Sequence, residues 1–437
     1  MAQSKPEMTL AIDVSLDQLD VALRSQSGEW LWPHQAYRNT WTGYQALKAD
    51  LLAALGAESP VQLTAVGEST GPYWWHVFYH LSHEADLADY EPQLALLNPL
   101  HVKRFRQALP EADKNDLLDP QLIAGYYRAI GVKHLYQFNE RYLPLRAVSR
   151  AYARLTHTLA AEKAFLLSVL YLSCSDYQRQ MPFSDLFGAT SSYILTEYAD
   201  MAAIAELELE PLSAQLQQIA KGTLPDPAAN ARRLQQVAQE AYPVPQALAD
   251  ALHQVLKHTL AHIRFLSDTQ KAYQALIRLH LDHLPEANLA LEIPGLGPVL
   301  VAGFLAEIQD TQRFTSGTKF DRRRKTHRPR TYRDGQAAVA KLAGLWWPER
   351  ASGRFQAQDL HLSRERNPYL RYWFVQAAHT LQRYQADYRA YYRRKYTEAQ
   401  HHHHKRALLL TARKAVRLVF ALLHKGQRAA LGEAASA

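Results

Sequence analysis

The order of strand-like and helical segments in the first 108 residues limits the folds open to this chain. Three apolar or alternating segments follow one another directly, at residues 8–14, 18–24 and 29–34, as expected of an antiparallel meander. The elements expected next are a helix at 42–55 with Thr42 as a possible N-cap, a strand at 61–66, a helix at 72–81, a strand at 94–97 and a basic helix at 100–108. This order predicts a layered α/β domain.

Two acidic residues lie at the ends of strands in this pattern, and the order is the one expected of an RNase H-like fold. Asp13 ends the first strand, and Glu68 follows the strand at 61–66. The carboxyl ends of neighbouring parallel strands open onto one crevice, so the two carboxylates should converge. Each acid also has an ordinary interpretation, Asp13 as a turn cap beside Ser15 and Glu68 as a loop residue.

A second acidic pair lies in the segment KNDLLDPQLIA, where Asp116 and Asp119 are three residues apart. If the helix begins at Asp116, both carboxylates lie on one side of it. Alternatively, Asp119 is an N-cap with Pro120 at the first helical position. Together with Asp13 and Glu68, the pair would form a four-carboxylate site, whose charge suits two Mg²⁺ ions spaced for phosphodiester chemistry.

The middle of the chain has long helical periodicity. A first long helix is expected within residues 145–181, shorter proline-broken helices over 182–242, and a second long helix at 246–281. The two long helices indicate either a coiled-coil-like arm or an ordinary helical domain. The predicted domains are an α/β domain at 1–140, a helical arm at 141–287 and a basic, mostly helical domain at 288–437.

Charge is distributed very unevenly. Residues 311–437 contain 27 Lys and Arg against 8 Asp and Glu, whereas the preceding residues contain 23 against 34. A basic third rich in Tyr and Trp favours a nucleic-acid partner over a membrane surface. Cys174 is the only cysteine, no apolar stretch is long enough to span a bilayer, and no secretory signal opens the chain, so a cytoplasmic location is expected.

Two segments of the basic third are typical of nucleic-acid contacts. Residues 293–298 (IPGLGP) resemble a helix-hairpin-helix turn, in which Gly295 and Gly297 let backbone amides approach a phosphate; a plain helical turn is the alternative. Residues 320–335 have seven Lys and Arg and no apolar face, which predicts a loop that is solvated or clamps a phosphate backbone. The candidate contacts in that loop are Arg322, Arg323, Arg324, Lys325, Arg328 and Arg330.

A serine in the same basic third is the candidate nucleophile. Ser352 precedes Gly353, and it is followed by a run in which Arg364, Arg366 and Arg371 are candidate phosphate contacts. By itself, a serine before a glycine is an ordinary loop residue. Four consecutive histidines, residues 401–404, are better interpreted as a solvated loop than as a metal site.

These residues resemble one known family at both ends of the chain. AIDVS with Asp13, VGEST with Glu68 and KNDLLDPQLIA resemble the N-terminal domain of the DEDD insertion-sequence transposases, also called bridge recombinases. IPGLGP, LAEI, RF, LAGLWWP, SG and NPYLR resemble their C-terminal domain. The likeness covers about residues 8–130 and 288–425, and the middle is similar only in being helical.

The resemblance implies a RuvC-like RNase H fold, a coiled-coil arm and a compact helical domain with a catalytic serine. Asp13, Glu68, Asp116 and Asp119 match the family's metal-binding acids, and Ser352 matches the serine that becomes linked to a 5′-phosphate. The implied partners are a structured noncoding guide (bridge) RNA, donor and target double-stranded DNA, and further copies of the chain, as a dimer or, in synapsis, a tetramer. A bacterial or archaeal setting with action at the nucleoid is implied as well.

Several positions depart from the family's pattern. Asn115 stands where Thr is frequent, Pro120 where Ala is frequent, and Arg366 where Gly usually precedes Asn367; residues 320–335 look inserted. Two other functions stay open. One is a RuvC-like junction resolvase or nuclease that uses metal-activated water, and the other is a non-catalytic RNA- or DNA-binding scaffold.

Overall fold

The computed structural model describes residues 6–58, 60–108, 119–132, 135–198, 201–321, 324–348, 351–352, 355–356, 362–363 and 366–432, with only the backbone described at 202, 351–352 and 355–356. The chain divides into two compact units, residues 1–139 and 140–437. Asp116, Arg322, Arg323 and Arg364 lie outside the described residues. No helix in the described part of the chain is both long and apolar enough to cross a bilayer.

The first unit is a five-stranded sheet covered by helices. Its elements are β1 (Glu7–Val14), β2 (Gln18–Arg24), β3 (Trp30–Arg38), α1 (Trp41–Ala57), β4 (Gln62–Glu68), α2 (Trp74–His83), β5 (Gln93–Leu97), α3 (Pro99–Gln107) and α4 (Asp119–Ile130). The strand order is β3-β2-β1-β4-β5, with β2 antiparallel to β1 and β3, and β4 parallel to β1 and β5. The element order matches the prediction and is compatible with an RNase H-like domain.

The two faces of the sheet bury different side chains, because neighbouring residues of a strand point to opposite sides. Leu10 and Ile12 of β1 belong to a core that also contains residues of α1 and α2. Ala11 of β1 and Val66 of β4 belong to a separate core with Ile123 of α4. Helix α4 therefore covers the face on which Ala11 and Val66 lie.

The second unit is almost entirely helical. Its elements are α5 (Leu143–Ser173), α6 (Tyr177–Gln180), α7 (Ala189–Glu197), α8 (Leu209–Ile219), α9 (Pro227–Glu240), α10 (Gln246–Leu281), α11 (Asn288–Leu291), α12 (Pro298–Ile308), α13 (Gln312–Thr315), β6 (Thr318–Asp321), β7 (Thr326–Pro329), α14 (Tyr332–Leu342), β8 (Ala351–Ser352), β9 (Phe355–Gln356), α15 (Pro368–Tyr384), α16 (Ala386–Thr397) and α17 (His403–Ala430).

The two long helices, α5 and α10, run antiparallel. Gln270 donates from Nε2 to Thr156 Oγ1 at 3.0 Å, and one turn further along Gln274 donates to the Tyr152 hydroxyl at 3.2 Å. One apolar core lies within residues 159–266, and a second joins the other ends of both helices to α12, α15 and α17. The pair of helices was predicted, whereas the coiled-coil arm, the helix-hairpin-helix and the three-domain division remain predictions.

Three local predictions were wrong. The N-cap of α1 is Thr40, whose hydroxyl accepts from the Gly43 amide at 3.2 Å, so Thr42 lies inside the helix. The basic segment is not a loop, because β6 and β7 pair as an antiparallel hairpin and α14 begins at Tyr332. The histidine run is not only a loop: His402 has the left-handed φ of 52°, and His403 begins α17.

Candidate active site

Asp13 and Glu68 lie side by side at the carboxyl ends of the neighbouring strands β1 and β4. In the parallel pair β1–β4, Ile12 is opposite Gly67, so the two acids are the next residues of their strands. A Cβ at Gly67 would lie 2.8 Å from the Ile12 carbonyl oxygen, so a side chain there would clash. Asp13 points to the same side as Ala11, and Glu68 to the same side as Val66, which is the face covered by α4.

Asp119 reaches this face from the first turn of α4. It is nearly buried, and its Oδ1 accepts a 2.5 Å bond from the Arg106 guanidinium of α3. Asn98 caps α3 by accepting from the Leu100 amide at 2.9 Å, and Pro99 begins the helix, as sequence preferences favour. The helix that precedes the acid thus supplies its cationic partner.

Glu68 is affected by the charges of both Asp13 and Asp119. Burial raises the pKa of Glu68, and the negative charges of Asp13 and Asp119 raise it further. The Thr70 hydroxyl, which donates to Glu68 Oε2 at 3.3 Å, and the Arg106 charge act in the opposite direction. Negative charge at Glu68 is therefore incompletely compensated, which is the condition that a cation relieves.

The donor set suits a hard divalent cation. Asp13, Glu68 and Asp119 offer carboxylate oxygens, the ligands that Mg²⁺ prefers. Within the described residues no three Asp, Glu, His or Cys side chains are close enough to form a metal site, and Asp116 lies outside them. Arg106 engages Asp119, and Asp13 and Glu68 are neighbours at the carboxyl ends of β1 and β4.

Ser352 lies in the second unit, in the two-residue strand β8, where it is paired with Phe355 of β9. Hydrogen bonds close the base of this segment. The Ser363 amide donates to the Trp346 carbonyl at 3.0 Å, and the Asn367 amide donates to the Leu342 carbonyl at 2.7 Å. The chain therefore leaves α14 and returns to α15 at nearly the same place.

Arg371 holds the base of the same segment. Its Nε donates to the Ala343 carbonyl at 3.1 Å, and its Nη2 donates to the carbonyls of Gly344 and of Ser363, the latter at 3.1 Å. Burial lowers the pKa of Arg371 to about 10, and the charge of Arg366 contributes. Arg371 is therefore engaged with the backbone, whereas Arg366 is exposed.

Two comparisons with protein families bear on these sites. Residues 10–174 match the DEDD model of IS110 transposases, described as "Transposase", and residues 326–393 match the model "Transposase IS116/IS110/IS902 family". The two matches together cover just over half of the chain. The chain belongs to the IS110 family of transposases. No curated protein matches the sequence.

Family membership gives the two regions their general function. The first match includes Asp13, Glu68 and Asp119, and the second includes Ser352. A DEDD-type domain implies a divalent cation, and a transposase acts on DNA, so the chain is a DNA transposase with DNA as its substrate.

The basic hairpin of this transposase uses part of its charge internally. Arg328 on β7 donates from Nη1 to Asp334 Oδ2 at 2.7 Å, and Lys319 on β6 donates to Asp334 Oδ1 at 2.7 Å. Asp334 also forms a capping box with Thr331 at the start of α14. Arg324 and Lys325 lie in the turn of the hairpin, and Arg330 donates to the Thr318 carbonyl at 3.4 Å.

The two glycines of IPGLGP have different surroundings. Gly295 has φ 101°, its carbonyl accepts from Thr380 Oγ1 at 2.6 Å, and a Cβ there would lie 3.3 Å from the Leu381 nitrogen. It thus allows close packing on α15. Gly297 is the N-cap residue of α12, it is exposed, and a Cβ there would have no heavy atom within 4 Å. Gly297 is therefore the more accessible of the two for a ligand.

Sequence reasoning missed two charged residues with defined partners, Arg106 and Glu307. Arg106 is one of several basic residues in α3, and the sequence does not indicate which of them reaches Asp119. Only the folded structure shows that Arg106 does. Glu307 lies in the apolar helix α12, and a lone acid in such a helix is the signal that could have indicated a buried ion pair.

Proposed function

We propose that this transposase is an RNA-guided, site-specific DNA recombinase that cuts and rejoins DNA through a 5′-phosphoserine at Ser352, with Mg²⁺ at Asp13, Glu68, Asp116 and Asp119. The observation that carries the proposal is the parallel register of β1 and β4, which sets Asp13 and Glu68 side by side at the carboxyl ends of these strands, on the face that α4 with Asp119 covers. A second support is the basic unit in which Ser352 lies on a segment closed at its base.

The covalent step conserves the phosphodiester. Ser352 Oγ attacks a backbone phosphorus, an Oγ–P bond forms and the P–O3′ bond breaks. The serine proton leaves to solvent or a nearby base, and a proton is taken up at the departing 3′-oxygen. Attack by a 3′-hydroxyl on the phosphoserine reverses these changes and releases Ser352. No ATP is needed, because the ester bond is exchanged and not hydrolysed.

The chain's residues divide this work. Bound Mg²⁺ would lower the pKa of the attacking hydroxyl and stabilise charge on the transferred phosphate. Asp13 and Glu68 would hold the cation and Asp119 would complete the set, while Arg371 fixes the base of the segment that carries Ser352.

Partner recognition follows the family resemblance. A structured guide RNA that pairs with donor and target DNA would supply sequence specificity, so that the protein recognises RNA shape and backbone. The net excess of 19 positive charges in residues 311–437 suits two polyanions bound at once. A dimer, and a tetramer at synapsis, would bring each Ser352 to the acids of another copy.

The serine is tested by trapping the covalent product. Wild-type protein, incubated with guide RNA, labelled DNA and Mg²⁺, should yield an adduct that survives denaturation and runs as protein-linked 5′ DNA. Ser352→Ala should abolish the adduct, and the control Ser316→Ala, at an exposed serine of the same unit, should retain it. An adduct that persists in Ser352→Ala refutes Ser352 as nucleophile.

A metal-dependent nuclease is the second candidate, because the three acids are gathered within one unit that does not contain Ser352. Such an enzyme would activate water, leave free 5′-phosphates and form no adduct. It would keep its cleavage in Ser352→Ala and lose it in Asp13→Asn. A non-catalytic RNA- or DNA-binding scaffold, the remaining alternative, would cleave neither supercoiled nor branched DNA in the presence of Mg²⁺.

A further inference from the structure

Helix α16 presents an unusual combination of rings and charge on the surface. None of its twelve residues is fully buried, and they include four tyrosines and four basic residues. The set is Tyr388, Arg389, Tyr391, Tyr392, Arg393, Arg394, Lys395 and Tyr396. Tyr388 and Tyr392 pack partly against the apolar core of the unit, which fixes the helix on its neighbours. Tyr391 is half-buried with Lys414 4.9 Å from its ring centroid, and Tyr396 is exposed.

Aromatic contacts with the start of α17 hold two of the tyrosines in place. The Tyr392 hydroxyl and His404 Nδ1 are 2.6 Å apart, and the Tyr396 ring lies 5.3 Å from the His403 ring. The centroids of Tyr392 and Tyr396 are 6.1 Å apart, so both rings border one cleft. Tyr396 is 44% exposed, which leaves much of its ring available to a ligand.

The cleft has an apolar lining with one cation at its edge. It measures about 350 Å³ and is lined by Tyr392, Arg393, Tyr396 and Thr397. An aromatic ring system fits such a surface by stacking, and Arg393, which is exposed, adds a positive charge. The lining therefore suits a flat, aromatic, negatively charged ligand.

The remaining charges of α16 are partly used within the protein. Lys395 pairs with Glu398, and Arg394 lies 3.6 Å from the same carboxylate. Arg389 donates to the carbonyls of Gln382 and Arg383 at the end of α15. Arg393 is exposed and lines the cleft, so it is the cation of this helix best placed for a phosphate.

We propose that the cleft beside Tyr392 and Tyr396 binds unpaired nucleotides of a nucleic-acid strand, with a base stacked on Tyr396 and with Arg393 at the adjoining phosphate. A base in a duplex has both faces covered by its neighbours and cannot stack in this way, so the site should discriminate against paired strands. The surface shares no residue with the acids, with Ser352 or with the basic hairpin, and it does not depend on serine chemistry.

Photochemical cross-linking locates the site directly. Short single strands containing 5-iodouracil, of RNA and of DNA in the same sequence, are irradiated with the full-length protein, and adducts are mapped by mass spectrometry. We expect adducts on Tyr396 or Tyr392. Adducts confined to other parts of the chain would overturn the proposal. Cross-linking of RNA alone, or of DNA alone, would support it and identify the strand.

An affinity cycle separates stacking from charge. Tyr396→Ala should weaken binding of a single strand about fivefold or more, the effect of losing one stacked base, and should have no such effect on an otherwise identical strand of abasic sugars. Arg393→Ala should weaken both strands. Tyr242→Ala, at a tyrosine 78% exposed, and Arg233→Ala are matched controls that should bind as wild type.

Three results would contradict the proposal. The first is equal loss for normal and abasic strands in Tyr396→Ala, since the ring would then not stack on a base. The second is the same loss in Tyr242→Ala, since any exposed tyrosine would then suffice. The third is an equal loss for a matched duplex. None of these results concerns covalent adducts at Ser352, so the proposal and the recombinase mechanism fail separately.

Discussion

Glu307 on α12 accepts a 2.6 Å hydrogen bond at Oε2 from Nδ2 of Asn367, the residue that caps α15. The carboxylate is fully buried, and Arg150 of α5 donates to both of its oxygens, at 2.6 and 2.8 Å. Burial would raise the pKa of Glu307, but Arg150, Arg146 and Asn367 more than offset it, so the pKa lies below its ordinary value. The buried Glu307 carboxylate thus connects α12 to α5 and to the start of α15.

Glu307→Gln should lower the free energy of unfolding by about 3 kcal/mol, because it leaves Arg150 without its buried partner. Since folding lowers the pKa of Glu307, its contribution is present above the ordinary value of 4.5 and is lost as the pH falls through the folded-state pKa. Urea unfolding from neutral pH downwards measures the difference. The difference in free energy of unfolding between the wild type and Glu307→Gln should shrink below pH 4.5. The control Glu162→Gln, at a partly exposed acid, should have little effect on stability.

Glu68→Gln should stabilise the metal-free protein near neutral pH. Burial and Asp13 raise the pKa of Glu68, so this carboxyl group stabilises the fold below its unfolded-state pKa and loses that contribution as the pH rises through the folded-state pKa. The Tm difference between variant and wild type should therefore be near zero at about pH 4.5 and grow towards neutrality.

Millimolar Mg²⁺ provides the second half of that experiment. It should raise the Tm of the wild type, because a cation relieves the repulsion among the carboxylates, and should raise that of Glu68→Gln much less. Glu58→Gln, at an exposed acid, should respond as wild type. An equal Mg²⁺ response in Glu68→Gln would argue against metal binding at this residue.

Arg371→Lys should slow adduct formation at Ser352 by about tenfold while DNA affinity stays nearly constant. The donors of a lysine all sit on one nitrogen, so they cannot reproduce the bonds that Arg371 makes from Nε and from Nη2, and the base of the segment should loosen. If Arg371 instead contacts a phosphate, Arg371→Lys should lower the affinity for DNA. The slope of log K against log salt concentration should then become less steep by about one. Binding isotherms at several salt concentrations distinguish the two roles.

Arg324→Ala should weaken nucleic-acid binding more than Arg328→Ala. Arg328 is committed to Asp334 and lies 3.7 Å from Asp321, whereas Arg324 lies in the turn of the hairpin. Removing one cation that binds a phosphate should reduce the salt slope by about 0.9 for duplex DNA. Equal slopes for the wild type and Arg324→Ala would mean that the turn does not bind phosphate.

The pattern of apolar residues predicted most of the first unit, because strands buried in a sheet carry apolar residues in short runs or at alternate positions. The parallel register of β1 and β4 then brings Asp13 and Glu68 together, as expected. The partner of Asp119 was not predictable. Which of the cations in α3 reaches that acid depends on how α3 and α4 pack, and helix periodicity does not encode it.

The basic hairpin shows the opposite case. Strand prediction depends on alternating apolar residues, and β6 and β7 have almost none. They are held by backbone pairing from Thr318–Pro329 to Asp321–Thr326 and by Arg328 and Lys319 on Asp334. Ion pairs do not produce a periodic pattern of apolar residues. A strand that is stabilised by ion pairs therefore resembles a loop in the sequence.

The bonded base between Trp346 and Ser363 has a consequence for engineering. The Ser363 amide bonds the Trp346 carbonyl, and Arg371 also holds the Ser363 carbonyl, so the two ends of the stretch that carries Ser352 are fixed to each other. Since the entropy cost of closing a loop grows slowly with its length, by about 0.6 kcal/mol per doubling, a short insertion between these ends should cost the fold little.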